Sequence, residues 1–149
     1  MEELQRAQRT ESDITLLMID VDRFKHINDD SGHLIGDECL VAIADCLKRS
    51  VQRISDTVAR YGGDEFTIIL ANTDEAAGID IAESIRLAVG EVHIMSNEKR
   101  VPLAISIGIS YCSGSHEQCD AVTLLATADA ALYQAKASGR NRITSISAC

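Results

Sequence analysis

Two adjacent carboxylates, Asp64 and Glu65, directly follow the glycine pair Gly62-Gly63. Residues 58–59 before the glycines and 66–70 after them have the character of two short strands, so the pair predicts a tight hairpin with positive φ angles. Carboxylates beside backbone that carries no side chains leave a ligand free access. This setting favours a bound divalent cation, and the alternative is that Asp and Glu are ordinary turn residues.

A third carboxylate, Asp20, lies inside the end of the nearly continuous apolar stretch Ile14–Val21. Such a run predicts a central strand that is covered on both faces. A carboxylate there costs free energy unless it is paired or holds a metal, so Asp20 indicates a functional role. Asp22, just beyond the strand, fits the simpler interpretation of a cap on the following helix.

The elements that must position these carboxylates follow from the spacing of apolar residues. The predicted order is β-α-α-β-β-α-β-β-α-β, with the long helices over residues 36–51, 73–89 and 120–138. A second hairpin is predicted with strands over residues 92–95 and 101–111, and Pro102 indicates that one of them lies at a sheet edge. Because this order mixes hairpins with helical crossovers, we predict an α+β domain of the ferredoxin-like or split βαβ kind, with a mixed central sheet and helices on its faces.

In such a sheet, the end of the first strand and the tip of the adjacent hairpin can lie side by side. Asp20, Asp64 and Glu65 would then converge. Hard oxygen ligands in this number suit Mg²⁺ or Mn²⁺, and Mg²⁺ usually completes its shell with phosphate oxygens. A glycine-rich loop of the GxxxxGK[ST] kind is absent from the sequence, which disfavours a P-loop enzyme.

The composition limits the classes of partner. A chain of 149 residues with 46% apolar content is long enough for one domain with a real core, and its net charge of −9 disfavours a nucleic-acid polymer or an acidic membrane surface as partner. A small phosphate ligand needs only a few cations. Lys25, and Lys136 with Arg140 four residues later on one helix face, are candidates; the alternative for the latter two is to complement the helix dipole.

Cysteine usage and hydropathy predict a reduced, cytoplasmic setting. The five cysteines are odd in number and form no CxxC pair, so neither a disulfide framework nor a zinc site is expected. Cys39 and Cys46 are seven apart on a predicted helix and are expected to be small core residues. No stretch approaches the ~18 apolar residues of a membrane span, and the N-terminus has no signal-peptide pattern.

Taken together, these stretches resemble the GGDEF domain family of bacterial diguanylate cyclases, over almost everything from Ser12 to Ile143. Residues 62–66 are the family signature unaltered. Four further motifs agree in order and spacing: DVDRFKHIND at 20–29, GHLIGD at 32–37, SIGI at 106–109 and YQAKASGRN at 133–141. Five motifs in register make the resemblance specific.

The resemblance implies a palm-type domain that condenses two GTP into cyclic di-GMP and two pyrophosphates across a homodimer. Each GTP half-site would hold two Mg²⁺ (or Mn²⁺) ions through Asp20, the backbone carbonyl of Val21, Asp64 and Glu65. Asp64 matches the carboxylate commonly assigned as base for the 3′-hydroxyl, and Glu65 matches its acidic partner. Both are therefore candidate catalytic residues.

The resemblance also implies a set of substrate contacts. Asn28 and Asp37 match residues that hydrogen-bond the guanine edge, and His33 matches a position associated with substrate. Lys136 and Arg140 match cations that hold the terminal phosphates, joined by the backbone around Phe24 and Lys25. A carboxylate that accepts from guanine would face the wrong edge of adenine, so rejection of ATP is expected.

A product-inhibition site is implied at the RxxD sequence formed by Arg53 and Asp56, where the family places such a site. Arginine can grip a phosphate or guanine with two hydrogen bonds, and Asp56 can accept from guanine. The alternative is a solvent-facing pair on a connector.

The expected domain covers residues 12–146, with residues 1–11 as the tail of an upstream helix or linker and residues 147–149 as a C-terminal tail. The family usually carries an Asp-x-Leu-Thr-x-Leu-x-Asn-Arg stretch before the first strand, and none precedes Ser12. We therefore expect a larger parent protein with an upstream sensor. Two rival functions remain: a non-catalytic GTP-binding or cyclic di-GMP-binding signalling domain, and a palm-type enzyme acting on another nucleotide.

Overall fold

The computed structural model describes residues 7, 12–51, 57–114 and 119–148. Apart from Ala7, the predicted N-terminal tail lies outside the described residues. Within these ranges the elements are, in chain order, β1 (Ile14–Val21), α1 (Phe24–Ser31), α2 (His33–Ser50), β2 (Thr57–Arg60), β3 (Glu65–Ala71), α3 (Glu75–Gly90), β4 (Met95–Ser96), β5 (Lys99–Arg100), β6 (Ile105–Cys112), α4 (Ala121–Ala137) and β7 (Ile143–Ser147).

The central sheet has the strand order β2-β3-β1-β6-β7. The pairs β2–β3, β3–β1 and β1–β6 are antiparallel, whereas β6–β7 is parallel, so the sheet is mixed. The predicted α+β class with helices on both faces is confirmed. β1 is buried along its whole length at the centre of the sheet, as its apolar run predicted.

Alternate residues of β1 enter two different cores, because successive strand side chains point to opposite faces. Leu17 and Ile19 belong to the larger core, which includes buried residues of α2 and α3. Leu16 and Met18 face the other way and pack with Leu124 and Leu132 of α4. An even-numbered residue near the end of β1 is therefore directed to the side of α4.

Three local predictions about strands and turns were wrong. The stretch expected as one strand from residue 101 to 111 is divided: β4 and β5 form a separate two-stranded sheet, and β6 begins only at Ile105. Pro102 lies in the connection between them rather than in an edge strand. Gly62 and Gly63 do not have positive φ angles, because four residues rather than two connect β2 to β3.

The cysteines are partly as expected. Cys39 and Cys46 are free and buried in the larger core. Cys112 and Cys119, by contrast, form a disulfide with Cα atoms 6.4 Å apart. The odd cysteine count did not predict this bond, since the contact depends on how the connection from β6 returns to α4.

No helix in the described ranges is both long and apolar enough to cross a membrane.

Candidate nucleotide and metal site

The end of β1 lies directly beside the start of β3. Asp20 is the pairing partner of Glu65 in the antiparallel register, and the backbone N–H of Val21 donates to the carbonyl oxygen of Asp64 at 3.2 Å. Directly opposed residues of antiparallel strands have their side chains on one face. Carboxylates 45 positions apart in the chain (Glu65 and Asp20) therefore share the face covered by α4.

Asp20 is a buried carboxylate with two different oxygen environments. Only 5% of the residue is exposed. Its Oδ2 forms an ion pair with the Nζ of Lys136, whereas its Oδ1 is buried and accepts no hydrogen bond from the described residues. Half of this carboxylate is thus left available to a ligand at a position where an unpaired charge is costly.

Lys136 reaches Asp20 because α4 packs unusually close to the sheet. A Cβ added at Gly108 of β6 would overlap the backbone of α4 at Leu132 and Ala128. Glycine at this position is therefore required for the close approach, which brings the last turn of the helix over the end of β1. Burial, and secondarily the positive charge of Arg140, lower the pKa of Lys136, so its ammonium group benefits from an anionic neighbour.

Arg60 binds the backbone of the hairpin tip. The guanidinium donates from Nε to the carbonyl of Gly62 at 3.1 Å and from Nη2 to the carbonyl of Gly63 at 2.6 Å. A Cβ added at either glycine would meet no described atom within 4 Å. Neither strain nor crowding requires glycine here, so the bare backbone leaves space for a ligand beside Asp64.

The residues present fit a divalent cation in charge and chemistry. The buried, unsatisfied Oδ1 of Asp20 is the kind of oxygen that a hard cation binds, and Glu65 lies across from it. Within the described parts of the chain, no three His, Cys, Asp or Glu side chains already form a cluster that could hold a metal ion. Asp20 is instead engaged with Lys136 on one side, so a cation would compete with that ammonium group.

Asn28, a predicted substrate contact, lies beside Gly36 where α1 packs on α2. The Oδ1 of Asn28 is buried and has no hydrogen-bond partner among the residues described. A Cβ at Gly36 would overlap this oxygen and would lie 3.4 Å from Cζ of Phe24. Gly36 therefore leaves the volume that the Asn28 amide occupies.

Asp37 is exposed on α2 and borders a cavity of about 330 Å³, which is also lined by Arg60 and Phe66. His33 and Lys25 are exposed, and Phe24 is half-buried against the larger core. The structure thus brings the predicted residue Asp37 to the same small cavity as Arg60, two residues before the signature. The predicted inhibitory residues Arg53 and Asp56 lie outside the described residues.

Arg140 is near Lys136 for a different reason from the one predicted. α4 ends at Ala137, so the two cations do not share a helix face. Gly139, with φ 124°, lies just beyond the end of the helix, and Arg140 follows it with φ 65°. Arg140 and Arg23 line a larger cavity of about 800 Å³ beside the end of β1.

A sequence model for the family described as "Diguanylate cyclase, GGDEF domain" matches residues 1–142 of this chain. The chain belongs to this family. The resemblance predicted from the five motifs is therefore confirmed.

Among relatives, this GGDEF domain is 45% identical to diguanylate cyclase A of Treponema denticola and 44% identical to diguanylate cyclase DgcM of Escherichia coli, over 131 residues in each case. These alignments cover 88% of this chain but only 34% and 30% of the relatives, so the GGDEF domain spans about a third of their length.

Solved structures agree with the family and with the palm-type fold. The GGDEF domain superposes on the active GGEEF domain of a diguanylate cyclase from Vibrio cholerae with a TM-score of 0.88 and 32% identity, covering 97% of this chain and 89% of that one. It matches the GGDEF domain of DgcB from Caulobacter crescentus, solved in complex with c-di-GMP, with a TM-score of 0.88 and 28% identity, covering 97% and 84%.

Sequence reasoning missed two residues at this site. Asp22 does not cap α1: the N-cap position is Arg23, without a side-chain cap bond, and the carboxylate of Asp22 binds elsewhere. Arg60 received no role, although its place two residues before the signature was a signal. For both Asp22 and Arg60, the fold determines which atoms lie within hydrogen-bond distance of the side chain.

Proposed function

We propose that this domain is a diguanylate cyclase that condenses two GTP molecules into cyclic di-GMP and two pyrophosphates across a homodimer. The observation that carries the proposal is the juxtaposition of Asp20 with the Asp64–Glu65 tip, with one Asp20 oxygen unsatisfied and Lys136 adjacent. Acidic ligands next to a phosphate-binding cation are what a metal-assisted nucleotide reaction needs.

Asp20, the carbonyl of Val21, Asp64 and Glu65 are the proposed ligands of Mg²⁺ or Mn²⁺, with two ions in each GTP half-site. When bound, the cations lower the pKa of the 3′-hydroxyl and neutralise charge at the α-phosphate. Arg60 supports the tip by fixing the two glycine carbonyls that precede Asp64. A rigid tip presents its carboxylates in one geometry, which lowers the entropic cost of the reaction.

The reaction forms one phosphodiester bond in each half-site. The 3′-oxygen of one GTP bonds to the α-phosphorus of the other, the bond to the bridging oxygen of the β-phosphate breaks, and pyrophosphate leaves. Asp64, with Glu65 as its acidic partner, accepts the proton of the hydroxyl. Lys136 and Arg140, with the backbone of Phe24 and Lys25, hold the terminal phosphates and balance the charge of the leaving group.

Asn28, Asp37 and His33 are the proposed contacts to the base. Asp37 lines a cavity with Phe66, and Asn28 has an unsatisfied amide oxygen. Asp37 accepts from N1–H and N2–H₂ of guanine, whereas adenine would leave its carboxylate facing an acceptor. Discrimination against ATP follows from these unpaired polar groups.

The homodimer follows from the one-sided site. One domain carries one acidic tip and one set of phosphate cations, so it presents a single GTP, and the second GTP comes from a second copy.

We also propose that the parent protein is a cytoplasmic bacterial enzyme, and that Arg53 and Asp56 bind cyclic di-GMP as inhibitor. Calorimetry with cyclic di-GMP on wild type and Arg53→Ala tests the inhibitory site, and equal affinity in both would exclude it.

The test of the main function is incubation of concentrated protein with GTP and Mg²⁺, followed by separation of the nucleotides. Cyclic di-GMP is expected, and its loss in Glu65→Gln with unchanged melting temperature assigns the reaction to this site. Intact GTP, also in a version dimerised artificially at its N-terminus, would indicate a non-catalytic receptor. Another product would indicate a palm-type enzyme with a different substrate.

A further inference from the structure

Asp22 connects three segments of the chain that are distant in sequence. Its Oδ1 accepts a hydrogen bond from the Oγ of Ser106 at 2.6 Å, and its Oδ2 accepts from the backbone N–H of Asn141 at 2.8 Å. Ser106 is fully buried in β6, so it offers a fixed anchor. The carboxylate therefore ties the turn after α4 to the sheet, one residue after Arg140.

That turn has a backbone conformation that needs support. Arg140 and Asn141 are consecutive non-glycine residues with φ angles of 65° and 46°. Side chains rarely adopt this left-handed region, and two such residues in a row persist only where their surroundings hold them. The N–H of Arg140 bonds the carbonyl of Ala135 at 3.0 Å, and the next N–H is the one that Asp22 accepts.

Arg86 of α3 holds the same residue from the other side. Its Nη1 donates to Oδ1 of Asn141 at 2.9 Å, while Nε and Nη2 bind Glu83 one turn earlier. The hydrogen bond from Arg86 lowers the pKa of Glu83, so this carboxylate stays charged and keeps the guanidinium in place. Asn141 is thus held between Asp22 and Arg86.

We propose that Asp22 is a positioning residue that fixes the turn carrying Arg140 and thereby sets the affinity for the terminal phosphates of GTP. The inference rests on the proposed function, because it uses the role of Arg140 as a phosphate contact. Asp22 acts through the peptide group of Asn141. The carboxylate of Asp22 also lines the edge of the cavity where the phosphates would lie, and its negative charge there would repel them.

This opposition of effects separates positioning from simple electrostatics. If only charge mattered, Asp22→Ala would remove a repulsive anion and tighten binding of a nucleoside triphosphate. Positioning predicts the opposite sign, since the freed turn no longer holds Arg140 in place. Asp22→Asn removes the charge but keeps both contacts: its amide oxygen can accept from Asn141 and its NH₂ can donate to the hydroxyl of Ser106.

The experiment is calorimetry with 3′-deoxy-GTP and Mg²⁺, because this analogue has no 3′-hydroxyl and cannot condense. We expect Asp22→Ala to weaken binding on the order of 10-fold or more, since small misplacements of a binding group are costly. Asp22→Asn should stay within about threefold of wild type or bind more tightly. Binding of 3′-deoxy-GMP, which lacks the terminal phosphates, should be unchanged in both.

A double-mutant cycle with Arg140→Ala shows whether the effect passes through that arginine. In the Arg140→Ala background, Asp22→Ala should cause no further loss. Equal losses in both backgrounds, or an equal loss for the monophosphate, would overturn the proposal.

Arg86→Ala, which removes the hydrogen bond to the side chain of Asn141, provides a second variant in case Asp22→Ala does not fold. It should weaken 3′-deoxy-GTP binding less, and only when Arg140 is present; a loss that persists without Arg140 contradicts the proposal. Wild-type protein that fails to bind 3′-deoxy-GTP refutes the proposed function itself. Wild-type binding with Asp22→Ala unchanged refutes the positioning role alone.

Discussion

Gly36→Ala should impair the proposed contact of Asn28 with guanine while leaving the fold intact. The added Cβ would overlap Oδ1 of Asn28 and lie 3.0 Å from its Cγ. An ordinary contact requires the amide oxygen to move by more than about 1 Å. Because this oxygen is the free end of a side chain, the amide can rotate away while both helices stay in place. The substitution therefore removes Asn28 from its position without removing it from the chain.

The substitution has two effects on the free energy of unfolding, which are opposite in sign and comparable in size. Alanine in a helix interior is about 1 kcal/mol more favourable than glycine, which offsets the cost of moving the amide. The free energy of unfolding should thus stay within about 1 kcal/mol of wild type, or about 2–4 °C in Tm. Loss of one or two neutral hydrogen bonds to guanine, at about 0.5–1.5 kcal/mol each, weakens GTP binding by about 2- to 150-fold.

Calorimetry with 3′-deoxy-GTP and a thermal melt measure both quantities. Gly90→Ala is the matched control, because it is the same change near the end of α3, where no described atom lies within 4 Å of the added Cβ. Asn28→Ala in the Gly36→Ala background should cause little further loss. Wild-type affinity in Gly36→Ala, or fully additive losses, would refute the reasoning.

Three further predictions concern the sheet and the acidic site. Rotation of a side chain cannot make room for Gly108→Ala, because the added Cβ meets the backbone of α4. We expect the free energy of unfolding to fall by about 1–3 kcal/mol or more in a thermal melt, with no comparable loss in Gly90→Ala. Arg60→Ala should leave Tm unchanged but reduce cyclic di-GMP formation about tenfold and speed hydrogen exchange at the hairpin tip. Arg60→Lys should not restore activity, because lysine lacks the forked donors of arginine. Normal turnover in Arg60→Ala would show that Arg60 does not support the tip. Lys136→Met leaves Asp20 buried without its partner and should cost on the order of 3 kcal/mol in EDTA; Mg²⁺ should raise the Tm of this variant more than that of wild type, and equal shifts would argue against Asp20 as a metal ligand.

Much of the fold could be predicted from local patterns. The unbroken apolar run of β1 indicated a strand covered on both faces, and it lies at the centre of the sheet. The three- and four-residue spacing of α2 placed its core face correctly, with Cys39 and Cys46 buried. These patterns succeed because burial acts on every residue of an element, so the signal accumulates along it.

Boundaries and turns were less predictable. β5 and β6 are separate strands, and Gly62 and Gly63 lack positive φ angles. Both features depend on which neighbouring strand each backbone group forms hydrogen bonds with. The same is true of the bond between Cys112 and Cys119, which requires the chain to return to the sheet. Single residues of this kind contribute no periodic signal.

For the candidate site, the residue types and their order along the chain were determined by the sequence itself: the acidic tip, Asp20, and the cations near the end of α4. Only the tertiary structure decided their partners. Lys136 pairs with Asp20 because Gly108 lets α4 approach the sheet, and Asp22 binds Ser106 and Asn141, 84 and 119 positions away. A hydrogen bond depends on where two atoms lie in space, and for groups so far apart in sequence that is settled by packing of the whole sheet and its helices.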